Sequence, residues 1–436
     1  MAYSGYITRI RNIRKHPNAD RLLLGDCFGN QVVVGLDTKD EQIGLYFPTD
    51  GQLSKEFLQA NNLIAVIDPV TGERSGGFFD ENGRVRTQKF RKERSDGFFC
   101  PLEYLNFTGI DTGTLVEGTP ITDVNGIRIC NKYVSQATRR KAYNYERRKE
   151  RRVQCPLFHE HIDTEQLAYN MMRLHAGDYV VITEKVHGTS QRSGHTMITE
   201  MADWKRVVNK LLHYNVFKPT VEWKYVCGSR RVVLPDNIGQ PESPPDMWFG
   251  TDGSIMRAEA HQKFLNKLHK GETVYYEIVG YTPDGKLISN ECSNDRLQDK
   301  EFMKKYGKTT RFTYGCDIGE SHLYVYRITM VNPDGIETDL SWNDVVLRCQ
   351  QLGVEPVPLL DYGTITDVDS FLQTVEKMIT RASKLDSRHI MEGAVVRIDG
   401  STWKAYKHKS FEFKVIEGII KDTGAVDMEE AQGDVT

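Results

Sequence analysis

Lys185 lies in "TEKVHGTS" (183–190), after the β-branched run "GDYVVI" and just before a His187-Gly188 turn. A primary amine at a strand end is a candidate nucleophile if its surroundings keep it neutral, because free lysine titrates near about 10.4. Residues of complementary chemistry follow in order: Ser229-Arg230 in "YVCGSRRVV", Glu277 in "VYYEIVG", Tyr326 in "LYVYRIT", Glu392 in "MEGAVVRI", and Lys407 with Lys409 in "YKHKSFEFK". Cations beside a lysine, whether other lysines or a metal, favour its neutral form and neutralise a phosphoryl centre as it becomes five-coordinate. Arg230 offers a planar fork for phosphate oxygens, and Arg231 competes for that role. Glu277 and Glu392 suit a hard divalent ion, its waters or a ribose hydroxyl. Tyr326 can stack on a base, and strand alternation puts Tyr324 on the same side.

The elements that must position these residues are legible as patterns. "TVYYEIVGY", "HLYVYRITMV" and "EGAVVRI" read as strands, while "EAHQKFLNKLHK" and "VDSFLQTVEKMITRASKL" read as helices. Asp163 with Gln166 forms a near capping box, and Leu167, Met171 and Leu174 recur at helical spacing, which predicts a helix there. Residues 154–436 therefore read as one α+β domain. The first 131 residues differ. "GYITRIRNI", "NQVVVGL" and "QIGLYFP" are short strand-like runs between Gly, Asn and Asp turns, a spacing that predicts a small barrel. Between the two regions, 132–153 is polar, basic and tyrosine-bearing, and reads as a linker.

Composition bounds the function. The chain has 436 residues, 39% hydrophobic and 27% charged, with a net charge of −3. No apolar run reaches the roughly 18 residues needed to cross a bilayer. The N-terminal stretch lacks the apolar core of an export signal, and none of the eight cysteines forms a CxxC pair. Reduced thiols in a cytoplasmic protein are expected. Basic residues concentrate in 84–94 and 139–152, so nucleic acid would meet stripes of positive charge. Two other signals fail. Gly307-Lys308-Thr309 in "KKYGKTT" ends like a P-loop, but Phe302 stands where that loop needs glycine. His159, His161 and His195 lack metal-ligand spacing and read as structural or surface residues.

As an ordered set, these motifs resemble those of the covalent nucleotidyltransferases, the polynucleotide ligases and capping enzymes. "EKVHGTS", with His187 where most of that superfamily has Asp, resembles the RNA ligase 2-type ligases. "KHPNADRLLLGDCFGNQVVVGL" (15–36) resembles the opening of OB-fold modules of the tRNA-binding kind. The likeness spans essentially the whole chain and is strongest at 154–192, 222–234, 272–282 and 390–414. It implies an N-terminal OB-like β-barrel (1–131), a basic linker (132–153) and a mixed α+β nucleotidyltransferase domain (154–436). It further implies ATP as cofactor, with Mg or Mn, and RNA ends as partner. The enzyme would be a monomer without membrane attachment, cytoplasmic or phage-encoded, acting in RNA repair. Lys185 would carry AMP. Glu184, His187, Gly188, Arg230, Glu277, Tyr326, Glu392, Lys407 and Lys409 would hold the nucleotide, with Lys407, Lys409 and Arg230 assisting transfer and Glu277 and Glu392 facing the metal. Glu184 would lie beside the adenine. The family often has Phe-Asp where this chain has Tyr326-Arg327, and Asp317 is a candidate substitute for the missing acid. Only 27 residues follow Lys409, too few for the C-terminal OB domain of capping enzymes and DNA ligases. A nick-sealing DNA ligase and an RNA-binding protein with an inactive core are the alternatives.

Overall fold

Most of the alternating and β-branched runs singled out in the sequence pair as antiparallel sheet. The computed structural model describes residues 3–417, apart from 50, 68–73, 78, 81, 92, 134–154, 162–163 and 215. The basic segment 139–152 and Asp163 thus lie outside the described residues. Two units emerge. One comprises 3–133 with 165–174 and 414–417; the other comprises 155–164 with 175–413.

The first unit is rich in short strands: β1 (Gly5–Arg9), β2 (Arg11–Lys15), β3 (Leu22–Cys27), β4 (Asn30–Gly35), β5 (Ile43–Phe47), β6 (Gly51–Leu53), β7 (Arg84–Val85), β8 (Phe98–Pro101), β9 (Pro120–Ile121) and β10 (Cys130–Lys132). They form separate sheets in the orders β8-β5-β1-β9, β2-β3-β4 and β10-β6-β7. No closed barrel is found among the described residues. Ile7, Leu45, Phe47, Leu53 and Phe57 make its core, and Phe47 meets Phe57 edge-on at 5.4 Å. The helix expected near Asp163 does not form. Two 3₁₀ turns, Leu167–Tyr169 and Met171–Arg173, stand there instead. Between them Asn170 bonds the Gln166 carbonyl with its own side chain (2.7 Å), competing with the helical pattern.

The second unit is built around two large sheets. One has β11 (Tyr179–Lys185) between β17 (Leu359–Thr364) and β18 (Gly393–Ile398), with β19 (Ala405–Lys409) beside β18. Val180 to Lys185 are buried, as a strand covered on both faces must be. The other runs in the order β13 (Thr220–Ser229), β12 (Thr189–Glu200), β14 (Glu272–Gly280), β15 (Ser321–Val331) and β16 (Glu337–Asp339). The first unit carries helix α1 (Lys55–Ala60), and helices α2 (Gly250–Gln262), α3 (Lys300–Tyr306) and α4 (Val368–Ile379) belong to the second. The helix expected over 259–270 is displaced: α2 starts at Gly250 and ends at Gln262. Asp246 anchors it, accepting the Trp248 and Phe249 N–H groups and pairing with buried Arg257 at 2.8 Å. Gly307 takes φ +77° at the end of α3 and accordingly serves as a helix stop. The eight cysteines are buried thiols. Among the described residues no helix is long and apolar enough to cross a membrane.

Candidate active site

Lys185 is the last residue of β11. Register sets it opposite Gly393 on β18, which is opposite Lys409 on β19. Two lysines therefore flank a glycine on one rung of the sheet, and no larger residue fits between them: a Cβ on Gly393 would stand 2.1 Å from the His408 carbonyl oxygen. The preceding residue, Glu392, answers both amines. Its Oε1 is 3.0 Å from Lys185 Nζ and 3.1 Å from Lys409 Nζ, and its Oε2 is 3.5 Å from His187 Nδ1. Glu392 is fully buried. Burial pushes its carboxyl up, but Lys185, Lys409 and His187 outweigh that and hold it well below the ordinary carboxylate range.

His187 braces this cluster. Its ring stands edge-on between Phe312 (5.0 Å) and Phe413 (5.1 Å), and it does not line the cleft described next. Gly188 is required by close approach, since a Cβ there would lie 2.2 Å from the Ile278 carbonyl oxygen on β14.

A cleft is lined by Lys185, Glu184 and Lys407 from one sheet and by Ser190, Glu277 and Tyr326 from the other, with Arg230 following β13. Glu277 is buried opposite Ser190 on β12 and Tyr324 on β15. The register of β14 and β15 shifts between Tyr275 and Tyr276, whose partners are Arg327 and Val325, so Tyr326 is the extra residue of a bulge. A bulge re-aims a side chain. Tyr326 lines the cleft, its hydroxyl 2.9 Å from Ser190 Oγ, whereas Tyr324 is core. Glu184 is buried and accepts the Lys384 N–H at 2.9 Å; burial nonetheless raises its carboxyl above the ordinary value. Arg231 pairs with Glu160 at 3.9 Å, and of the two neighbours it is Arg230 that lines the cleft. Arg327, beside Tyr326, is buried against Asp339 (2.6 Å) and Glu337 (3.2 Å), a structural pairing. Asp317 is not among the residues that line the cleft.

The cleft therefore gathers Glu184, Lys185, Arg230, Glu277, Tyr326 and Lys407, while His187, Gly188, Glu392 and Lys409 stand behind as its support. Sequence reasoning missed one wall. His161, Trp342, Arg397 and Trp403 also line the cleft, and His161 meets Tyr326 (5.0 Å) and Trp403 (5.5 Å) edge-on. His159 and His195 are structural as expected, the one against Glu337 (3.3 Å), the other stacked on Tyr225 (4.3 Å). In the first unit, segment 84–94 spends several of its charges locally: Arg86 pairs with Asp80 (3.3 Å), Arg94 with Asp96, and Arg84 covers the Tyr133 ring (4.1 Å).

Among the described residues, no three His, Cys, Asp or Glu side chains gather as a ready-made metal site. A hard divalent ion does not need one. It is commonly held by one or two carboxylates together with substrate phosphates and water. Glu277, a buried carboxylate lining the cleft, fits that role, whereas both oxygens of Glu392 face cations.

A lysine amine, an arginine and an aromatic side chain line the cleft, and a second lysine behind it shares the first one's carboxylate, a set of groups that nucleotidyl transfer could use. The RNA ligase family model matches residues 178–416, more than half of the chain, and the chain belongs to that family. No curated protein matches it significantly. Among solved structures it resembles a Naegleria gruberi RNA ligase variant with ATP and Mn, at 16% identity and TM-score 0.53 over 94% of this chain and 96% of that one. The Naegleria gruberi enzyme with PPi gives 15% identity and TM-score 0.52 over 94% and 98%. A further variant of it with AMP and Mn gives 14% and 0.52 over 93% and 96%. At these identities the likeness is one of fold.

Proposed function

We propose that this chain is an ATP-dependent RNA ligase that joins a 3′-hydroxyl to a 5′-phosphate through lysyl-AMP and RNA-adenylate intermediates, in RNA repair. The observation that carries the reading is Lys185 Nζ at the cleft, ion-paired through buried Glu392 to Lys409. The ATP, AMP, PPi and Mn named for the Naegleria gruberi structures support a nucleotide and a divalent ion as the cleft's occupants.

In the first step, Lys185 Nζ loses a proton and bonds the α-phosphorus of ATP, and pyrophosphate leaves with the electrons of the Pα–O bond. Lys407, lining the cleft, and Arg230 neutralise the phosphates. Tyr326 stacks on the purine, and Glu184 contacts its polar edge. An ion held by Glu277 would supply further charge neutralisation at the phosphates. An oxygen of the RNA 5′-phosphate then takes the AMP from Lys185, restoring the amine. Finally the 3′-hydroxyl attacks the 5′-phosphorus, and AMP departs.

The strand-rich first unit would serve as an OB-like RNA-binding module, and the segments 84–94 and 139–152 would contact phosphates, with binding that weakens as salt rises. Nicks of all-RNA, all-DNA and mixed strands, each offered with ATP and Mg or Mn, test the assignment. RNA ends are expected to seal. Equal sealing of all-DNA nicks would favour a DNA ligase, and RNA binding without any sealing would favour an inactive core.

A further inference from the structure

The geometry points to Tyr314 as a positioning residue for nucleotidyl transfer, acting through the backbone of the turn that follows Lys185. The inference rests on the reading of Lys185 as nucleophile. The Tyr314 hydroxyl accepts the His187 N–H at 2.7 Å, and the His187 carbonyl accepts Ser289 Oγ at 2.7 Å. Both polar groups of the His187 backbone are thus held by one excursion, the stretch 281–320 between β14 and β15. Neither bond is part of a sheet ladder. They are the means by which a separate segment fixes the exit of β11.

Tyr314 is itself held in place. It is buried and takes φ +50°, a left-handed conformation that is costly for a bulky side chain and tolerated where the surroundings impose it. Asp386 supplies that constraint. It accepts Thr313 Oγ1 at 3.0 Å and the Gly315 N–H at 3.1 Å, and is gripped by Arg388 at 2.8 Å. His389 meets the Tyr314 ring edge-on at 4.7 Å. Burial, then Glu184 and Glu392, with a smaller contribution from Glu277, raise the phenol well above its ordinary value despite the His187 N–H. It stays protonated, accepting the amide N–H on one side with a proton to offer on the other. Tyr314 thereby holds the turn beside the nucleophile to the 281–320 stretch.

Tyr314→Phe in the full chain removes one oxygen and preserves the ring. Amide exchange at His187 should accelerate by about tenfold or more, because a buried N–H loses its acceptor. The rate of lysyl-AMP formation at saturating ATP should fall by about tenfold, with KM for ATP unchanged. A purely structural brace would lower thermal stability without separating kcat from KM. A labelled wild type alongside an equally fast Tyr314→Phe, or unchanged His187 exchange, overturns the proposal alone. A wild type that takes no label sinks the nucleotidyl-transfer reading, and this proposal with it. Should Tyr314→Phe not fold, Ser289→Ala carries the test: slower adenylylation at constant KM is expected, and a wild-type rate overturns the inference.

Discussion

Lys185→Ala should abolish ATP-dependent sealing of 5′-phosphate RNA ends, by at least about 10,000-fold, the scale on which covalent nucleophiles fail when removed. Closure of ends that are already adenylylated should survive, because that step uses the remaining cleft and not the amine. The structure makes the separation achievable. With Lys185 gone, Glu392 still faces Lys409 at 3.1 Å and His187 at 3.5 Å, so its buried charge keeps partners. A gel assay with paired phosphorylated and pre-adenylylated strands reads both activities. Equal loss of both would mean that Lys185 holds the fold or the RNA instead of accepting AMP.

Glu392→Ala should have the larger effect on stability. It strands two buried ammonium groups at once, and breaking a buried ion pair from one side costs about 3–5 kcal/mol. The denaturant transition of the second unit should shift to lower concentration accordingly. The wild type carries a matching acid signature. Because the folded carboxyl titrates below its ordinary 4.5, its contribution is complete above that value. It is lost progressively as pH falls from about 4.5 toward the lower folded value. Glu392→Gln should flatten this acid limb. An unchanged limb would show that the lysine cluster contributes nothing to pH-dependent stability.

Much of the site was legible because its residues sit on strands whose patterns declare themselves. "VVITEK", "VYYEIVG" and "EGAVVRI" are strands, and their pairing does the assembly: Lys185, Gly393 and Lys409 share a rung although more than 200 residues separate the first from the others. Which side chains face the cleft was harder to read. Simple alternation puts Tyr324 and Tyr326 on one side, and only the bulge separates a core tyrosine from a cleft tyrosine. His161, Trp342 and Trp403 approach from irregular connections or a helix start, where no periodicity indicates direction. Tyr314 gave no signal either, since its hydrogen bond to His187 crosses 127 residues and its left-handed backbone is imposed by tertiary contacts. The helix expected near Asp163 failed for a local reason, the Asn170 side chain bonding back to Gln166. His187 entered as one of the residues expected to hold the nucleotide. Its position between two phenylalanines, with one nitrogen toward Glu392, favours a bracing role instead.

Lys185 is proposed to carry AMP. Incubating the full chain with ATP and Mg or Mn, then mapping the adduct by peptide mass spectrometry, tests it most directly. One AMP per chain on the peptide containing Lys185, absent from Lys185→Ala and discharged by pyrophosphate, is the predicted result. An unmodified chain, or an adduct on another residue that persists in Lys185→Ala, would contradict it.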